Sequence, residues 1–221
     1  MKLLKFRSSH HRVRAFTFWD LLVVMAALVL VPLSLPMFPW PHRRVSGATI
    51  HCVNNLKQVG MAFRMWSNDN GEKFPFLVST NSGGSMEYAG TGEVFHHYLA
   101  ISNEVNSPKV LTCSTDTARR RTSDFAGLSD RNLSYFVGLD ATETNPRTIL
   151  SGDRNLSTNG RIVSGILTVT NSSTIGWTKD IHNRAGNIGL ADGSVQQVRD
   201  SIGLRREFDS GTNLPARLAI P

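Results

Sequence analysis

Cysteine is scarce in this chain. Only Cys52 and Cys113 occur among 221 residues, and no Cys-x-x-Cys pair exists. This argues against a zinc site built on closely spaced thiolates. Two thiols leave two readings open: one disulfide in an exported domain, or two buried free thiols. Catalytic signatures are missing as well. The chain has no Gly-x-Ser-x-Gly elbow and no His-Glu-x-x-His pair, so a non-enzymatic protein with no cofactor is expected. Acidic side chains are absent from the first fifteen positions, and charge of either sign is absent from Leu21 to Pro41.

The formal net charge of +7 suggests nucleic acid at first sight, but its distribution argues against that. Lys2, Lys5, Arg7, Arg12 and Arg14 stand in the first fifteen residues; with these five set aside, 19 bases face 17 acids. The basicity is a property of the N-terminus, as in the positive flank of a membrane segment, and no nucleic-acid partner is expected. Arg119-Arg120-Arg121 reads as solvated loop surface.

The uncharged run Leu21–Pro41 approaches the length of about 20 apolar residues that spans a bilayer as a helix. Pro32, Pro36, Pro39 and Pro41 crowd its second half and predict a kink or break there. The firmest helix is Phe16 to Val31. The competing reading is a cleaved secretory signal, which the missing small-x-small cleavage site disfavours. Charge bias keeps the N-terminus in the cytoplasm and sends the bulk of the chain across.

Residues 42 to 68 carry Val45, Ala48, Cys52, Leu56, Val59, Phe63 and Trp66 at spacings of three and four, which predicts an amphipathic helix. Asn68-Asp69-Asn70-Gly71 supplies its stop. Short strands are expected at Lys109–Cys113, Leu133–Leu139, Thr148–Ser151 and Gly165–Val169, and a short helix at Glu93–Ala100. Gly152-Asp153-Arg154-Asn155 and Ser157-Thr158-Asn159-Gly160 read as loops. Asp192-Gly193 suits a two-residue type I′ turn, with Leu190 facing Val195 across a hairpin.

Residues Arg14-Ala15-Phe16-Thr17-Phe18-Trp19-Asp20 stand directly before the apolar run. They resemble the type IV prepilin signature, in which Gly is followed by Phe-Thr-Leu-Ile-Glu and an apolar helix. Here Ala15 replaces the Gly and Asp20 the Glu. The Cys52-Val53-Asn54-Asn55-Leu56-Lys57-Gln58 helix and the Asn68-Asp69-Asn70-Gly71 turn add to this resemblance. So does His182, separated by nine residues from Asp192-Gly193. These features are similar to a pilin-like branch found in Planctomycetes and Verrucomicrobia.

The resemblance implies cleavage by prepilin peptidase between Ala15 and Phe16, N-methylation of Phe16, and assembly through Phe16 and Asp20. Expected partners are the peptidase, other pilin-like subunits, the secretion or pilus machinery and the membrane. The expected protein is a pseudopilin of a type II secretion or type IV pilus-like filament, single-pass in the bacterial inner membrane, with its bulk periplasmic or in an extracellular filament. The expected fold is α+β: one long N-terminal helix, membrane half plus amphipathic half, packed on a small, mainly antiparallel sheet. Its parts are a basic leader 1–15, a transmembrane helix 16–41, an amphipathic helix 42–70 and a globular extracytoplasmic domain 71–221. The alternative is a non-polymerising, membrane-anchored periplasmic binding or adhesion protein, followed by an anchored hydrolase using His182.

His182, Asp192 and Gly193 are read as a structural motif: Asp192 satisfies turn donors and His182 bonds the hairpin. Calcium through Asp153, Asp180 or Asp192 lacks the ligand count that ion needs, so no metal is expected.

Overall fold

Cys52, Leu56, Val59, Phe63 and Trp66 fall on one stripe of helix α2 (Gly47–Asp69), and all five are buried. Their spacing brings them to one face at 3.6 residues per turn. Ile50, Met61 and Met65 lie on the other faces and are exposed. The computed structural model describes residues 17–34, 47–211 and 214–221. Val45 and the side chain of Ala48, expected on the same stripe, lie outside the described residues.

Residues 45–221 form one unit and residues 1–44 another. In the larger unit, α2 packs on a six-stranded sheet. Its strands are β1 (Tyr135–Gly138), β2 (Ile149–Asp153), β5 (Gly165–Val169), β7 (Gly186–Leu190), β8 (Val195–Val198) and β9 (Ala216–Ile220). The spatial order is β5-β9-β1-β2-β7-β8, with every neighbouring pair antiparallel. A second antiparallel sheet runs in the order β4 (Arg161–Ile162), β3 (Leu156–Thr158), β6 (Ile175–Trp177). Helices α3 (Phe95–Ala100), α4 (Ser102–Val105) and α5 (Ser201–Gly211) complete the unit.

The large sheet is buried on both sides, which its side-chain alternation makes visible. Tyr135 and Val137 of β1 join Leu56, Phe63, Phe74 and Tyr98 in the core beneath α2. Phe136, between them, points the other way and joins Ile188, Leu204 and Phe208 in the core beneath α5. Strand β7 is buried at every position for the same reason.

The smaller unit contributes helix α1 (Phe18–Ser34). Every side chain from residue 17 to 28 is exposed. Because Leu21, Leu22, Val23, Val24 and Met25 are consecutive, apolar surface runs around the whole circumference.

Several expectations are corrected here. The expected fold had one long N-terminal helix on a small sheet. Instead α1 (Phe18–Ser34) and α2 (Gly47–Asp69) fall in different units, and among the described residues the sheet system has nine strands. Among the described residues no helix is long and apolar enough to cross a membrane. Helix α1 has 17 residues, about 26 Å at 1.5 Å per residue, against about 30 Å of hydrocarbon. This overturns the single-pass inner-membrane placement and the topology derived from it. Residues 35–41 of the expected span, and the Ala15–Phe16 cleavage site, lie outside the described residues.

Lys109–Cys113 is no strand: Pro108–Leu111 forms a 3-10 turn, started by Pro108 and capped by the Ser107 hydroxyl. Gly152 and Asp153 belong to β2 rather than to a loop. The Asp192-Gly193 turn is also different. Only Gly193 has a positive φ, of 84°. Gly193 N donates to Leu190 O and Leu190 N to Ser194 O, closing a three-residue loop with glycine in the bulge position. The register consequently sets Val195 opposite Gly189, not Leu190.

Candidate functional site

Cys52 and Cys113 are joined in a disulfide, which ties α2 to the loop before β1. Both residues are buried. Cys52 comes from the inner face of α2. Cys113 follows the Pro108–Leu111 turn, and that segment is tied down on both sides. Leu111 O accepts from Ser134 N, and the Thr112 hydroxyl donates to Asn132 O at 2.6 Å. Asn55 on α2 reaches Thr112 O.

His182 also approaches the disulfide. Its Nε2 lies 3.6 Å from Cys113 Sγ and 3.4 Å from Asp153 Oδ2. The loop that carries it, between β6 and β7, is fastened by Asn155. The Asn155 side chain donates to Thr178 O and Ala185 O, and its backbone carbonyl accepts from Thr178 N. Asn183 and Arg184 follow His182 with φ of 52° and 65°. Two successive non-glycine residues in the left-handed region are uncommon, and they fold the chain back sharply after the imidazole.

Asp153 closes β2 and is fully buried. Its Oδ2 accepts from the backbone N and side-chain Nδ2 of Asn187 on the adjacent strand β7. Its Oδ1 has no hydrogen-bond partner. Burial pushes the Asp153 carboxyl up to about 7, overriding the Asn187 donors that favour the charged form. Burial also pushes the His182 imidazole below its usual range. Both shifts favour uncharged groups around the disulfide.

A second buried pair lies close in the chain. Arg154 holds Asp116 bidentately, and the Ser134 hydroxyl donates to Asp116 Oδ2 at 2.8 Å.

The structure redistributes the residues expected to form a site. His182 meets Cys113 and Asp153, whereas Asp192 serves its own hairpin. Asp192 Oδ1 accepts from Ser194 N, and its backbone carbonyl accepts from Arg64 Nη1. Asp180 accepts from the Thr178 hydroxyl. The three carboxylates considered for calcium therefore have separate partners. Asp20 sits in the first turn of α1, where its Oδ2 accepts from Thr17 N and Thr17 Oγ1. Sequence reasoning missed Asp116, Arg154 and Asn187. No local pattern marks them, because their partners come from distant segments brought together by the sheet.

Chemically, the oxidised cluster is closed. Both sulfurs are in the covalent bond, so neither is a nucleophile or an anionic ligand. Among the described residues, no hydroxyl is hydrogen-bonded to His182 as a hydrolase nucleophile would be.

Set against protein-family models, curated proteins and solved structures, the chain matches none.

Proposed function

We infer that this chain is a pilin-like structural subunit of pseudopilin type, built into a filament of a type II secretion or type IV pilus-like machine. The observation that carries the reading is α1, apolar around its whole circumference with its single acid, Asp20, in the first turn. Such a helix needs apolar surroundings on every side. A filament core made of many copies of α1 supplies them. In this reading prepilin peptidase cuts between Ala15 and Phe16. Asp20 then meets the new terminal amine of a neighbouring subunit, which offsets the cost of burying its carboxylate among apolar helices. Residues 45–221 form the part displayed by the filament, stiffened by the Cys52–Cys113 bond.

The decisive test is the mass of the mature N-terminus in the native host, with electron microscopy of sheared surface material. An N-methylated Phe16 and filaments containing the chain are expected, together with loss of filaments in Asp20→Ala at unchanged protein level. An intact Met1 in the mature protein overturns the reading.

A further inference from the structure

The buried cluster around the disulfide has a second chemistry that only its reduced form can express. We propose that, once the Cys52–Cys113 bond is opened, Cys52, Cys113 and His182 form a zinc-binding site, with Asp153, beside the imidazole, as its fourth ligand.

The donor geometry supports this. The two sulfurs and the imidazole nitrogen lie within 4.8 Å of one another. Zinc bonds of about 2.3 Å to sulfur and 2.0–2.2 Å to nitrogen or oxygen give tetrahedral edges of about 3.6 Å for sulfur to nitrogen and about 3.4 Å for nitrogen to oxygen. The cluster already holds Cys113 Sγ at 3.6 Å and Asp153 Oδ2 at 3.4 Å from His182 Nε2. The sulfurs must part, to about 3.8 Å for a zinc dithiolate, and Asp153, which stands outside the three donors that lie within 4.8 Å of one another, must close on them to complete the tetrahedron. Asp153 adds an independent observation: it is wholly buried, and its Oδ1 lacks a partner. A buried carboxylate oxygen without a donor is costly unless something completes it.

The surroundings suit a metal. Thr115 Oγ1 lies 3.1 Å from Cys113 Sγ and Ser114 Oγ 3.9 Å from Cys52 Sγ, so each thiolate has a hydroxyl neighbour. Asn187 orients Asp153 from β7, as outer partners orient metal ligands. Two thiolates with an imidazole select a borderline-soft ion such as zinc over magnesium or calcium. The four residues come from α2, the Cys113 loop, β2 and the His182 loop, so the ion would join the two segments that the disulfide joins, plus two more. Disulfide and metal are thus mutually exclusive fasteners at one place.

The redox step balances. Opening the bond takes two electrons and two protons. A trialkylphosphine supplies the electrons and leaves as its oxide, taking oxygen from water, whose two protons go to the sulfurs. Zinc then displaces both thiol protons to solvent.

The test uses the full chain, reduced by a phosphine without oxygen and titrated with cobalt(II), followed by displacement with zinc. The expected result is one cobalt per chain, with tetrahedral ligand-field absorption and a thiolate charge-transfer band, and no such spectrum from the oxidised protein. His182→Ala abolishes the tetrahedral spectrum. Asp153→Asn weakens zinc binding by about 10–100-fold. The proposal is overturned if the reduced, folded chain gives no thiolate–cobalt spectrum, or if His182→Ala binds as tightly as the parent. Should the reduced chain lose its folded circular dichroism, zinc is expected to restore it, and failure to do so also overturns the proposal.

Discussion

Arg154 grips Asp116 through two parallel hydrogen bonds, Nε to Oδ2 at 2.8 Å and Nη2 to Oδ1 at 2.7 Å, with both residues buried. The pair joins the segment after Cys113 to the end of β2, so it braces the frame around the disulfide. Breaking a buried pair leaves an uncompensated charge, which costs about 3–5 kcal/mol. Asp116→Ala and Arg154→Ala are each expected to lose about that much in urea unfolding. The double replacement Asp116→Ala with Arg154→Ala is expected to cost clearly less than the sum of the two. An additive double variant would show that the two side chains are not energetically coupled.

Two glycines separate backbone conformation from packing. At Gly193, with φ of 84°, an added Cβ meets Arg64 Cδ at an ordinary 3.5 Å. Gly193→Ala is therefore expected to cost about 1 kcal/mol, the left-handed penalty alone. At Gly138 on β1 an added Cβ runs into the carbonyl oxygen of Ile149 on the paired strand. Gly138→Ala must spread β1 from β2, and its loss is expected to exceed that of Gly193→Ala at least two-fold. Thermal unfolding of the two variants, at a few degrees per kcal/mol for a domain this size, orders them directly.

The hairpin also shows what a local pattern can and cannot reveal. Sequence reads Asp192-Gly193 as a type I′ turn and Asn159-Gly160 only as part of a loop, 157–160, whose first two residues belong to β3. The two-residue loop with both φ positive occurs at Asn159-Gly160, at 50° and 75°, between β3 and β4. Asp192-Gly193 uses the longer loop, because Asp192 bonds forward to Ser194. The stripe of α2 was legible because five apolar side chains repeat on one face. Helix α5 was not, since Gly203 and Gly211 mask a short repeat of Leu204 and Phe208. The partner of His182 was hidden for a different reason. Spacing pointed to Asp192, but β2 lies beside β7 in the sheet, and that places Asp153 at the imidazole instead. Strand order is set by the whole chain, and no window of sequence displays it.

His97 gives the protein a dependence on acid. It is fully buried, with Nδ1 bonded to the Ser85 hydroxyl at 2.8 Å and Nε2 without a partner. Burial, reinforced by neighbouring His96, pushes its pKa from 6.5 down to about 4. The unfolded chain therefore binds a proton here between these values while the folded chain does not. Stability from this group is full above about pH 6.5 and falls as pH drops towards 4, by about 3 kcal/mol in all. Asp153 works in the opposite sense. Its raised pKa of about 7 means the folded state holds a proton that the unfolded state has released, so its term gains as pH falls. The comparison to make is thus between the parent and His97→Gln, by denaturant unfolding at several pH values from 7 to 4. The stability difference between them is expected to shift towards the variant as pH falls. A difference independent of pH would show that His97 titrates normally in the fold.

The disulfide closes a loop with a sequence separation of 61 residues between α2 and the segment leading to β1. In the chain-entropy model a loop of that size stabilises the fold by about 4 kcal/mol, by restricting the unfolded chain. Replacing both cysteines by alanine is expected to lower the stability of residues 45–221 by roughly that amount. Part of the loss has a separate origin, because Cys52 and Cys113 are also members, with Leu56 and Leu111, of the buried core beneath α2. Phosphine reduction of the parent separates the two contributions, since it opens the loop and keeps both side chains. Without metal, the reduced parent is expected to unfold at a urea concentration between those of the oxidised parent and the double-alanine variant. If reduction left the midpoint unchanged, the bond would contribute nothing, and the loss in the variant would be one of packing alone.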